Sequence, residues 1–434
     1  MPVPSSANQK SVCPCVRDRL RRFRAWWRRA AGVGRFRDSF LSPGGLGALN
    51  RMDFSLTSEQ EQIRSTARQL ALELFPSHAL EADEHETFPK EIWQKVAKMG
   101  FIGATVKPEF GGAGLGNVEN SFVVEEFSRV DPGIAVAIWA TAFGTEILQA
   151  IGTDDQKKRF LVRVPKGEAI MGTAITEPEA GSDVAGIKTT AKREGKEWVI
   201  NGEKIFITNA SVGDFFIVTC LTDATQKEKR RHLTTILVEK GTKGFEQHKM
   251  KGKLGIRASD TGTLSFHNVR VPIANTVGEE GQGFMHIMRF FNQTRIGVAA
   301  QAVGIAQGAL DRAIEYTQGR KQFDTPISEF QNTQFKLAEM ATRVEAARNL
   351  TYKAAWLADQ GKPNPMQSSM AKWFAGETAV WVADQAVQLH GGYGYFSEMD
   401  VSRFFRDAKI TEIYEGTKEV HKLIIARALL GKLG

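Results

Sequence analysis

Cysteine is scarce in this 434-residue chain, and its scarcity limits how the fold can be held together. Two of the three cysteines, Cys13 and Cys15, lie near the N-terminus, so Cys220 is alone in the rest of the sequence. A single thiol cannot form an intramolecular disulfide, which favours a reducing compartment. Histidine is also sparse. None of its eight residues has the spacing of a zinc site, so we predict no metal site.

Long apolar runs are missing too, and charge is distributed unevenly along the chain. No uninterrupted apolar stretch is long enough to span a bilayer, so we expect no stable membrane insertion. Residues 1–51 hold eleven of the 57 Lys and Arg but only two of the 49 Asp and Glu, which leaves 46 basic and 47 acidic residues in the body. Because the body is nearly neutral, the net charge of +8 gives no support to nucleic-acid binding.

The basic leader, residues 1–51, is predicted to lie outside the fold. Val16, Leu20, Phe23 and Trp27 recur at helical spacing with arginines between them, which is typical of a basic amphipathic helix. An Arg-rich, acid-poor leader fits a mitochondrial transit peptide, whereas an extension upstream of Met52 fits a bacterial cytoplasmic protein. We favour the cytoplasmic interpretation, because Met52 opens a self-contained pattern. The mitochondrial matrix is the alternative.

Three regions of different texture follow the leader and predict an α+β protein. Residues 52–170 show helical periodicity, residues 171–281 show strand patterns, and residues 282–434 return to helical periodicity. We therefore expect an N-terminal all-α domain, a middle antiparallel β domain and a C-terminal helical bundle. Within 198–209, the pair Asn201-Gly202 predicts a hairpin turn between two strands. The order of the regions argues against a doubly wound parallel sheet, which needs βαβ alternation.

A carboxylate near the C-terminus is the strongest candidate for chemistry. Within 406–417 a helical pattern stops at Glu415, which follows Ile413 and Tyr414 and precedes Gly416. A new helical pattern opens at Thr417. Apolar neighbours should raise the pKa of Glu415, which suits a general base working near neutral pH. On this pattern alone, the alternative is a solvated glutamate in an ordinary loop.

Six segments of the body share the order and spacing of one enzyme family. They are 175–183 (ITEPEAGSD), 202–209 (GEKIFITN), 255–260 (GIRASD), 320–323 (RKQF), 388–392 (QLHGG) and 413–417 (IYEGT). Through these segments the body resembles the acyl-CoA dehydrogenases, a family of FAD-dependent flavoenzymes. The resemblance implies that Glu415 removes the α-proton of an acyl-CoA thioester, that flavin N5 takes the β-hydride, and that a trans-2-enoyl-CoA is formed. It also implies that the backbone N–H of the base helps to polarise the thioester carbonyl.

Some relatives carry the base on an earlier helix, at the position of Thr294, which has no carboxylate here. The resemblance also identifies residues that would bind the cofactor. The expected FAD contacts are Thr173, Ile175, Thr176, Gly181, Ser182, Phe206, Thr208, Arg320, Phe323, Gln388, Gly391, Gly392, Thr417 and Glu419. Phe206 stands where the family commonly has tryptophan, and either ring can stack on a flavin. Residues 320–323 and 388–392 match segments that reach the FAD of a neighbouring subunit.

The expected substrate contacts are Trp139, Ser182, Asn292, Arg295 and Gly416. Some of these positions admit two interpretations. Arg295 fits a CoA contact or a support for the turn that carries the base. Trp139 fits the closed floor of a pocket for short, branched or compact acyl groups, or a packing position within the fold. The charged run 227–231 fits a solvated loop or a contact to CoA.

The resemblance further implies a homotetramer that passes electrons to electron-transferring flavoprotein. Other functions compete with this interpretation on the same fold. A flavin-dependent acyl-CoA oxidase and an enoyl-CoA reductase are the enzymatic alternatives. A non-catalytic CoA-binding assembly protein is the third, and we would expect such a protein to have lost the base at Glu415.

Overall fold

The computed structural model describes residues 55–223, residue 225 and residues 232–431. The predicted leader helix and the charged run 227–231 lie outside the described residues. The main helices are α1 (Ser58–Leu74), α2 (Pro76–His85), α3 (Lys90–Lys98), α4 (Asn117–Val130), α5 (Pro132–Trp139), α6 (Thr145–Ile151), α7 (Asp154–Arg159), α8 (Gly283–Gly319), α9 (Gln331–Asp359), α10 (Pro365–His390), α11 (Val401–Ala408) and α12 (Lys418–Leu430). None of the helices in these ranges is both long and apolar enough to cross a membrane.

An eight-stranded sheet separates the two helical regions along the sequence. Its strands are β1 (Met171–Ala174), β2 (Thr190–Glu194), β3 (Glu197–Thr208), β4 (Phe215–Leu221), β5 (Leu233–Glu239), β6 (Phe245–Lys249), β7 (Thr261–Pro272) and β8 (Thr276–Val277). The order is β6-β7-β3-β2-β4-β5-β8, and β1 pairs with β4 off this path. Most neighbours are antiparallel, but β1 and β2 run parallel to β4. The predicted α+β fold class is confirmed, with a mixed rather than a purely antiparallel sheet.

The hairpin predicted at Asn201-Gly202 is wrong, because β3 continues through this pair. Strand β2 lies along one edge of β3 and strand β7 along the other, and the β3–β7 register shifts between Ile200 and Gly202. Gly202 has a φ of 145°, and a Cβ at this position would lie 2.7 Å from the Cα of Thr189. The glycine therefore accommodates a bulge in a central strand instead of reversing the chain.

The second half of the helical region predicted over 52–170 is divided into several short helices that bring residues 139–146 beside α8. Asp131 caps α5 by accepting the backbone N–H of Ile134 at 2.9 Å, and Pro132 begins that helix. Gly144, with a φ of 107°, separates α5 from α6. These breaks allow α5 and α6 both to contact α8.

Helix α8 is the centre of the C-terminal bundle and contacts α4, α9 and α10. Small side chains make these contacts close. A Cβ on Gly304 or on Gly308 would lie 2.3 Å from the carbonyl oxygen of Glu125 or of Arg129 in α4. The buried alanines of α8 and α10 form one apolar cluster with residues of α9 and α11. Because α8 is 37 residues long, it carries side chains to both ends of this bundle.

Asp407 joins the end of α11 to the middle region at the cost of burying a carboxyl group. Its Oδ1 accepts the backbone N–H of Ile256 at 2.5 Å, and Oδ2 has no hydrogen-bond partner in the described part of the chain. Burial, followed by the charge of Asp131, raises the pKa of Asp407 from 3.8 to about 7. The folded protein therefore holds this proton more tightly than the unfolded chain. The contribution of protonated Asp407 to the free energy of unfolding is full below the pKa of the unfolded chain, and it is lost as the pH rises through about 7.

We expect Asp407→Asn to flatten this pH dependence. The amide oxygen can still accept the Ile256 N–H, but no charge is buried when the pH is high. The thermal midpoint of the variant should exceed that of the parent at pH 8, and the difference should shrink at pH 5. Asp384→Asn, which neutralises an exposed aspartate, serves as the matched control. A variant less stable than the parent at pH 8 would contradict this account of Asp407.

Candidate active site

The turn between α11 and α12 places Glu415 in an unusual backbone conformation. Helix α11 ends at Ala408, a 3₁₀ turn covers Lys409–Glu412, and α12 begins after its N-cap, Thr417. Glu415 has a φ of 54° and Gly416 a φ of 98°, so two consecutive residues are left-handed. This conformation is unfavourable for a glutamate and persists only where the surroundings enforce it. We call residues 413–417 the base turn.

The carboxylate of Glu415 is half-buried against α8. The hydroxyl of Thr294 donates to its Oε2 at 2.6 Å. Burial raises the pKa of Glu415, although the Thr294 hydrogen bond and the charges of Arg295 and Lys372 act in the opposite direction. The net shift is upward, so this carboxylate is a stronger base than a solvated glutamate.

Two buried cations hold the backbone of the base turn, and a buried histidine ring packs beside it. Arg295 Nε donates to the carbonyl oxygen of Glu415 at 3.3 Å, and Lys372 Nζ donates to that of Gly416 at 2.6 Å. The His421 ring lies close enough that a Cβ on Gly416 would be 3.2 Å from its Nε2. Burial, and then the charges of Lys372 and Arg295, lower the pKa of His421 to about 3, so the ring is neutral at pH 7. The structure thus places Arg295 beneath the turn.

A second carboxyl group, that of Glu146, lies within electrostatic range of Glu415. It belongs to the first turn of α6, where its Oε2 accepts the backbone N–H of Gly144 at 3.2 Å. Burial raises the pKa of Glu146 to about 7, and the charge of Glu415 adds to the shift. Sequence reasoning missed Glu146, Lys372 and His421. No signal in the local sequence separates these three polar residues from ordinary surface positions on their helices.

The expected flavin contacts of the middle region gather where the end of β1 meets β3. Thr173 lies in β1 and Ile175 directly follows it, while Phe206 and Thr208 lie in β3. The two segments are joined by a hydrogen bond from the backbone N–H of Ile205 to the carbonyl of Thr176, at 3.0 Å. We call these five expected contacts the sheet rim. They are Thr173, Ile175, Thr176, Phe206 and Thr208.

A buried ion pair anchors the sheet rim from behind. Lys204 Nζ donates to the carbonyl of Ile175 at 2.9 Å and to Oε1 of Glu177 at 2.8 Å. Glu177 also accepts the backbone N–H groups of Lys188 and Thr189. Burial alone would raise the pKa of Glu177, but the charge and hydrogen bond of Lys204 hold it below its ordinary value. Burial lowers the pKa of Lys204, and its hydrogen bonds to Ile175 and Glu177 fix the backbone of the rim.

Aromatic contacts connect the sheet rim to the base. Thr173 Oγ1 donates to the carbonyl oxygen of Phe143 at 3.2 Å. The Phe143 ring meets the Phe290 ring edge-on, with centroids 6.1 Å apart. Phe290 lies one helical turn before Thr294, the residue that binds the Glu415 carboxylate. The rim and the base therefore belong to one continuous site.

Trp139 lies beside this connection at the end of α5. Its indole meets the Phe143 ring edge-on, with centroids 4.8 Å apart, and remains half-buried. Gly297 of α8 makes room for the indole, because a Cβ at that position would lie 2.2 Å from Trp139 Cζ2. Gly297 is one residue short of a full turn beyond Thr294, so the indole lies close to the base along α8.

The sheet rim has features that fit a cofactor with a flat ring and a phosphate. The Phe206 side chain is 62% exposed although it belongs to an interior strand, and its φ of 59° is left-handed. Gly181 and Ser182 are exposed, and no atom would lie within 4 Å of a Cβ on Gly181. An open glycine turn lets backbone N–H groups meet an anion. The residues present therefore fit FAD.

The other expected cofactor residues lie at the far end of α8. They are Arg320, Phe323, Gln388, Gly391 and Gly392. The Arg320 guanidinium lies 5.5 Å from the ring of Tyr393, and the Phe323 side chain is 91% exposed. Measured along α8, Thr294 and the end of the helix at Gly319 are about 37 Å apart. This second group of expected cofactor residues therefore lies far along α8 from the base.

The remaining expected contacts surround the base turn. Thr417 is the N-cap of α12, and Glu419 lies in the first turn of that helix. Asn292 Oδ1 accepts a hydrogen bond from Arg295 Nη1 at 3.4 Å. Across the described ranges, no group of three or more His, Cys, Asp or Glu side chains is arranged to hold a metal ion.

We expect Gly297→Ala to destabilise the protein through the Trp139 contact. The added methyl group must displace the indole from a packed position, which typically costs about 1–3 kcal/mol. Chemical denaturation would measure the free energy of unfolding. Gly319→Ala is the matched control, because it changes the last residue of the same helix, where no atom lies within 4 Å of the new Cβ. Equal stabilities for the two variants would show that the indole does not depend on this glycine.

Comparison with known proteins identifies the family of this chain. Family models match in order: acyl-CoA dehydrogenase N-terminal domain at 57–168, middle domain at 172–269 and C-terminal domain at 281–430. A curated relative, acryloyl-CoA reductase (NADH) of Anaerotignum propionicum, is 43% identical over 88% of this chain and 97% of its own length.

Solved structures give the same result. Butyryl-CoA dehydrogenase from Megasphaera elsdenii superposes with a TM-score of 0.84 and 40% identity over 87% of this chain and all of that one. A structure described as electron transferring flavoprotein of Acidaminococcus fermentans gives a TM-score of 0.85 and 39% identity, covering 88% of this chain and all of that one. The chain therefore belongs to the acyl-CoA dehydrogenase family.

Proposed function

We propose that this protein is an FAD-dependent acyl-CoA dehydrogenase that converts an acyl-CoA thioester into the trans-2-enoyl-CoA. One observation carries the proposal. The half-buried carboxylate of Glu415 stands on a left-handed turn, receives a hydrogen bond from Thr294, and has a raised pKa. This is the environment that a general base needs to abstract a weakly acidic proton.

The α-proton of a thioester becomes removable only if charge on the carbonyl oxygen is stabilised as it develops. We assign the proton removal to the Glu415 carboxylate and part of the carbonyl polarisation to the Glu415 backbone N–H. Gly416 has no side chain, which suits its left-handed φ of 98° and leaves room for the neighbouring His421 ring. The product leaves with a double bond between Cα and Cβ, and Glu415 keeps the proton until solvent removes it.

We assign the cofactor to the sheet rim. Bound FAD supplies the acceptor for the β-hydride. Thr173, Ile175, Thr176 and Thr208 would line its ring, and Phe206 would cover the outer face. Gly181 and Ser182 would bind the phosphate side of FAD. Thr417 and Glu419 would contact the cofactor near the base. The Lys204–Glu177 pair holds the rim in place while the ring binds.

The distance along α8 supports sharing of the cofactor between subunits. The group at Arg320, Phe323 and 388–392 lies at the far end of α8 from the base. We therefore assign it to the FAD of a neighbour. A homotetramer would supply this arrangement. We also propose electron-transferring flavoprotein as the electron acceptor, a proposal supported by the similarity to a chain in the Acidaminococcus fermentans structure.

We propose that the substrate is an acyl-CoA with a short or compact acyl group. Ser182, Asn292 and Gly416 would contact this acyl-CoA. The half-buried indole of Trp139 stands beside Phe143 and close to the base along α8, which leaves little depth for a long chain. The similarity to a butyryl-CoA dehydrogenase supports this assignment.

Catalysis in the opposite direction is the second candidate, because one relative at 43% identity is an acryloyl-CoA reductase. The same base would then return a proton to Cα as hydride arrives at Cβ. Comparing ferricenium reduction by acyl-CoA with NADH-driven consumption of enoyl-CoA separates the two directions.

We expect Glu415→Gln to remove the base while preserving shape. The amide can still accept the Thr294 hydrogen bond but cannot take a proton, so acyl-CoA should bleach the flavin at least about 100-fold more slowly. Anaerobic stopped-flow absorbance at the flavin band would measure this rate. Glu126→Gln is the matched control, because it neutralises a buried carboxylate that pairs with Arg68 and Arg129. Bleaching at the parent rate would exclude Glu415 as the base.

We expect Trp139→Gly to move the preference toward longer acyl chains. If the indole closes the pocket, each additional buried CH₂ should gain up to ~0.8 kcal/mol once the space opens. The measurement is kcat/KM for a series of straight-chain acyl-CoAs from four to twelve carbons. If the indole serves only in packing, the variant should lose about 3–5 kcal/mol of stability and keep the parent's ranking of substrates. An unchanged ranking in folded, flavin-loaded protein would rule out Trp139 as the floor.

A further inference from the structure

Lys372 is completely buried in α10, yet it hydrogen-bonds a carbonyl group rather than a carboxylate. Its Nζ donates to the carbonyl oxygen of Gly416 at 2.6 Å, and the side chain has 0% exposure. Among the described residues, Lys372 forms no ion pair within 4 Å. A buried ammonium is costly, and an apolar side chain of similar length would fill the same space with less desolvation. The placement of this cation therefore points to a role at the base turn.

Arg295 and Lys372 donate hydrogen bonds to successive carbonyl groups of the base turn. Arg295 approaches the Glu415 carbonyl from α8, and Lys372 approaches the Gly416 carbonyl from α10. These two peptide units follow the two left-handed residues, with φ values of 54° and 98°. Because both units are fixed from opposite helices, the direction in which the Glu415 side chain leaves the backbone is fixed as well.

The charges around Lys372 come from several elements. The groups that face it are Glu415 in the base turn, Arg295 in α8, Glu412 in the 3₁₀ turn, and Glu419 and His421 in α12. Burial lowers the pKa of Lys372 to about 7, although the charge of Glu415 raises it. In return Lys372 lowers the pKa of Glu415, which also faces Thr294, Glu146 and Tyr414. His421 is neutral at pH 7 and adds no charge.

We infer that Lys372 is a positioning residue that fixes the base turn and keeps the Glu415 carboxylate ionised for proton abstraction. The inference rests on the proposed function of Glu415 and adds a residue that does not touch the substrate. Two effects are combined in one side chain. The hydrogen bond to Gly416 holds the turn, and the positive charge opposes the effect of burial on the carboxylate.

Two substitutions in the full-length, FAD-loaded protein separate these effects. Lys372→Met removes both the charge and the donor, whereas Lys372→Gln removes the charge and keeps a neutral donor. Both variants should move the acidic limb of the pH profile for flavin bleaching upward by about 1–3 pH units, as expected for the loss of a neighbouring opposite charge. Lys422→Met is the matched control, because Lys422 lies nearby in α12 but is exposed and pairs with Glu377. Its profile should stay at the parent position.

Hydrogen–deuterium exchange tests the turn without using activity. Peptides covering 413–421 should exchange at least about 10-fold faster in Lys372→Met than in the parent, while Lys372→Gln should retain part of the protection. A structural role elsewhere in α10 would instead change exchange across the helix and leave the acidic limb where it was.

The outcomes are distinguishable from a failure of the proposed function. If no acyl-CoA or enoyl-CoA changes the parent's flavin spectrum, the proposed function fails. If the parent reacts but both lysine variants keep the parent's acidic limb and its exchange at 413–421, the inference about Lys372 is overturned alone. A need for Lys372 merely to fold, shown by the loss of both variants while Lys422→Met folds, would also overturn it.

Discussion

The proposed site depends on burying the carboxylate of Glu415 without protonating it. For the role that we propose, Glu415 must leave water to become a stronger base, yet a carboxylate that is buried alone would bind a proton and could not act as one. The protein resolves this conflict with a threonine hydroxyl on the carboxylate and with cations placed on the adjacent carbonyl groups. The Arg295 and Lys372 contacts are made to the backbone, so the positive charge is near the carboxylate but does not form a direct salt bridge with it.

Helix α8 makes that arrangement possible because it contacts α5, α6 and the 3₁₀ turn that precedes the base turn. Its glycines and alanines admit α4 and α10 closely, and Gly297 admits the Trp139 indole. The same helix presents Thr294 and Arg295 to the base turn. Since α8 is 37 residues long, its C-terminal end lies far from Thr294 and Arg295 and is next to a second set of expected cofactor residues, which includes Arg320 and Phe323. The length of a single helix thus underlies our proposal that the cofactor is shared between subunits.

Much of the fold followed from local patterns. The change from helical to strand periodicity near residue 171 and back near 281 predicted the α+β class, because these periods reflect which face of each element is buried. The Asn201-Gly202 hairpin was wrong for an instructive reason. A local turn signal cannot show that strands β2 and β7 lie on both sides of the segment, where the same glycine serves better as a bulge.

The sequence pointed to some residues of the candidate site and missed others. Glu415 and Gly416 were visible because a helical pattern breaks there and a glycine follows a carboxylate. Lys372 lies in the middle of α10, Glu146 in a short helix and His421 in α12, and each could equally have been a surface residue in its own local context. Nothing in the neighbouring sequence of Lys372 shows that Gly416, 44 positions later, will supply its acceptor.

The sequence by itself determined the order of elements and the family to which the chain belongs, and it pointed to Glu415 as the carboxylate that we propose as the base. These properties are encoded in periodicity and in short segments whose meaning is local. Only the tertiary structure decided that Arg295 lies beneath the turn, that Trp139 packs against Gly297, and that two cations from different helices reach adjacent carbonyl groups. Those outcomes depend on contacts between residues far apart in the chain. Burial, which is also decided by the tertiary structure, then shifts the pKa values of Glu415 and Lys372.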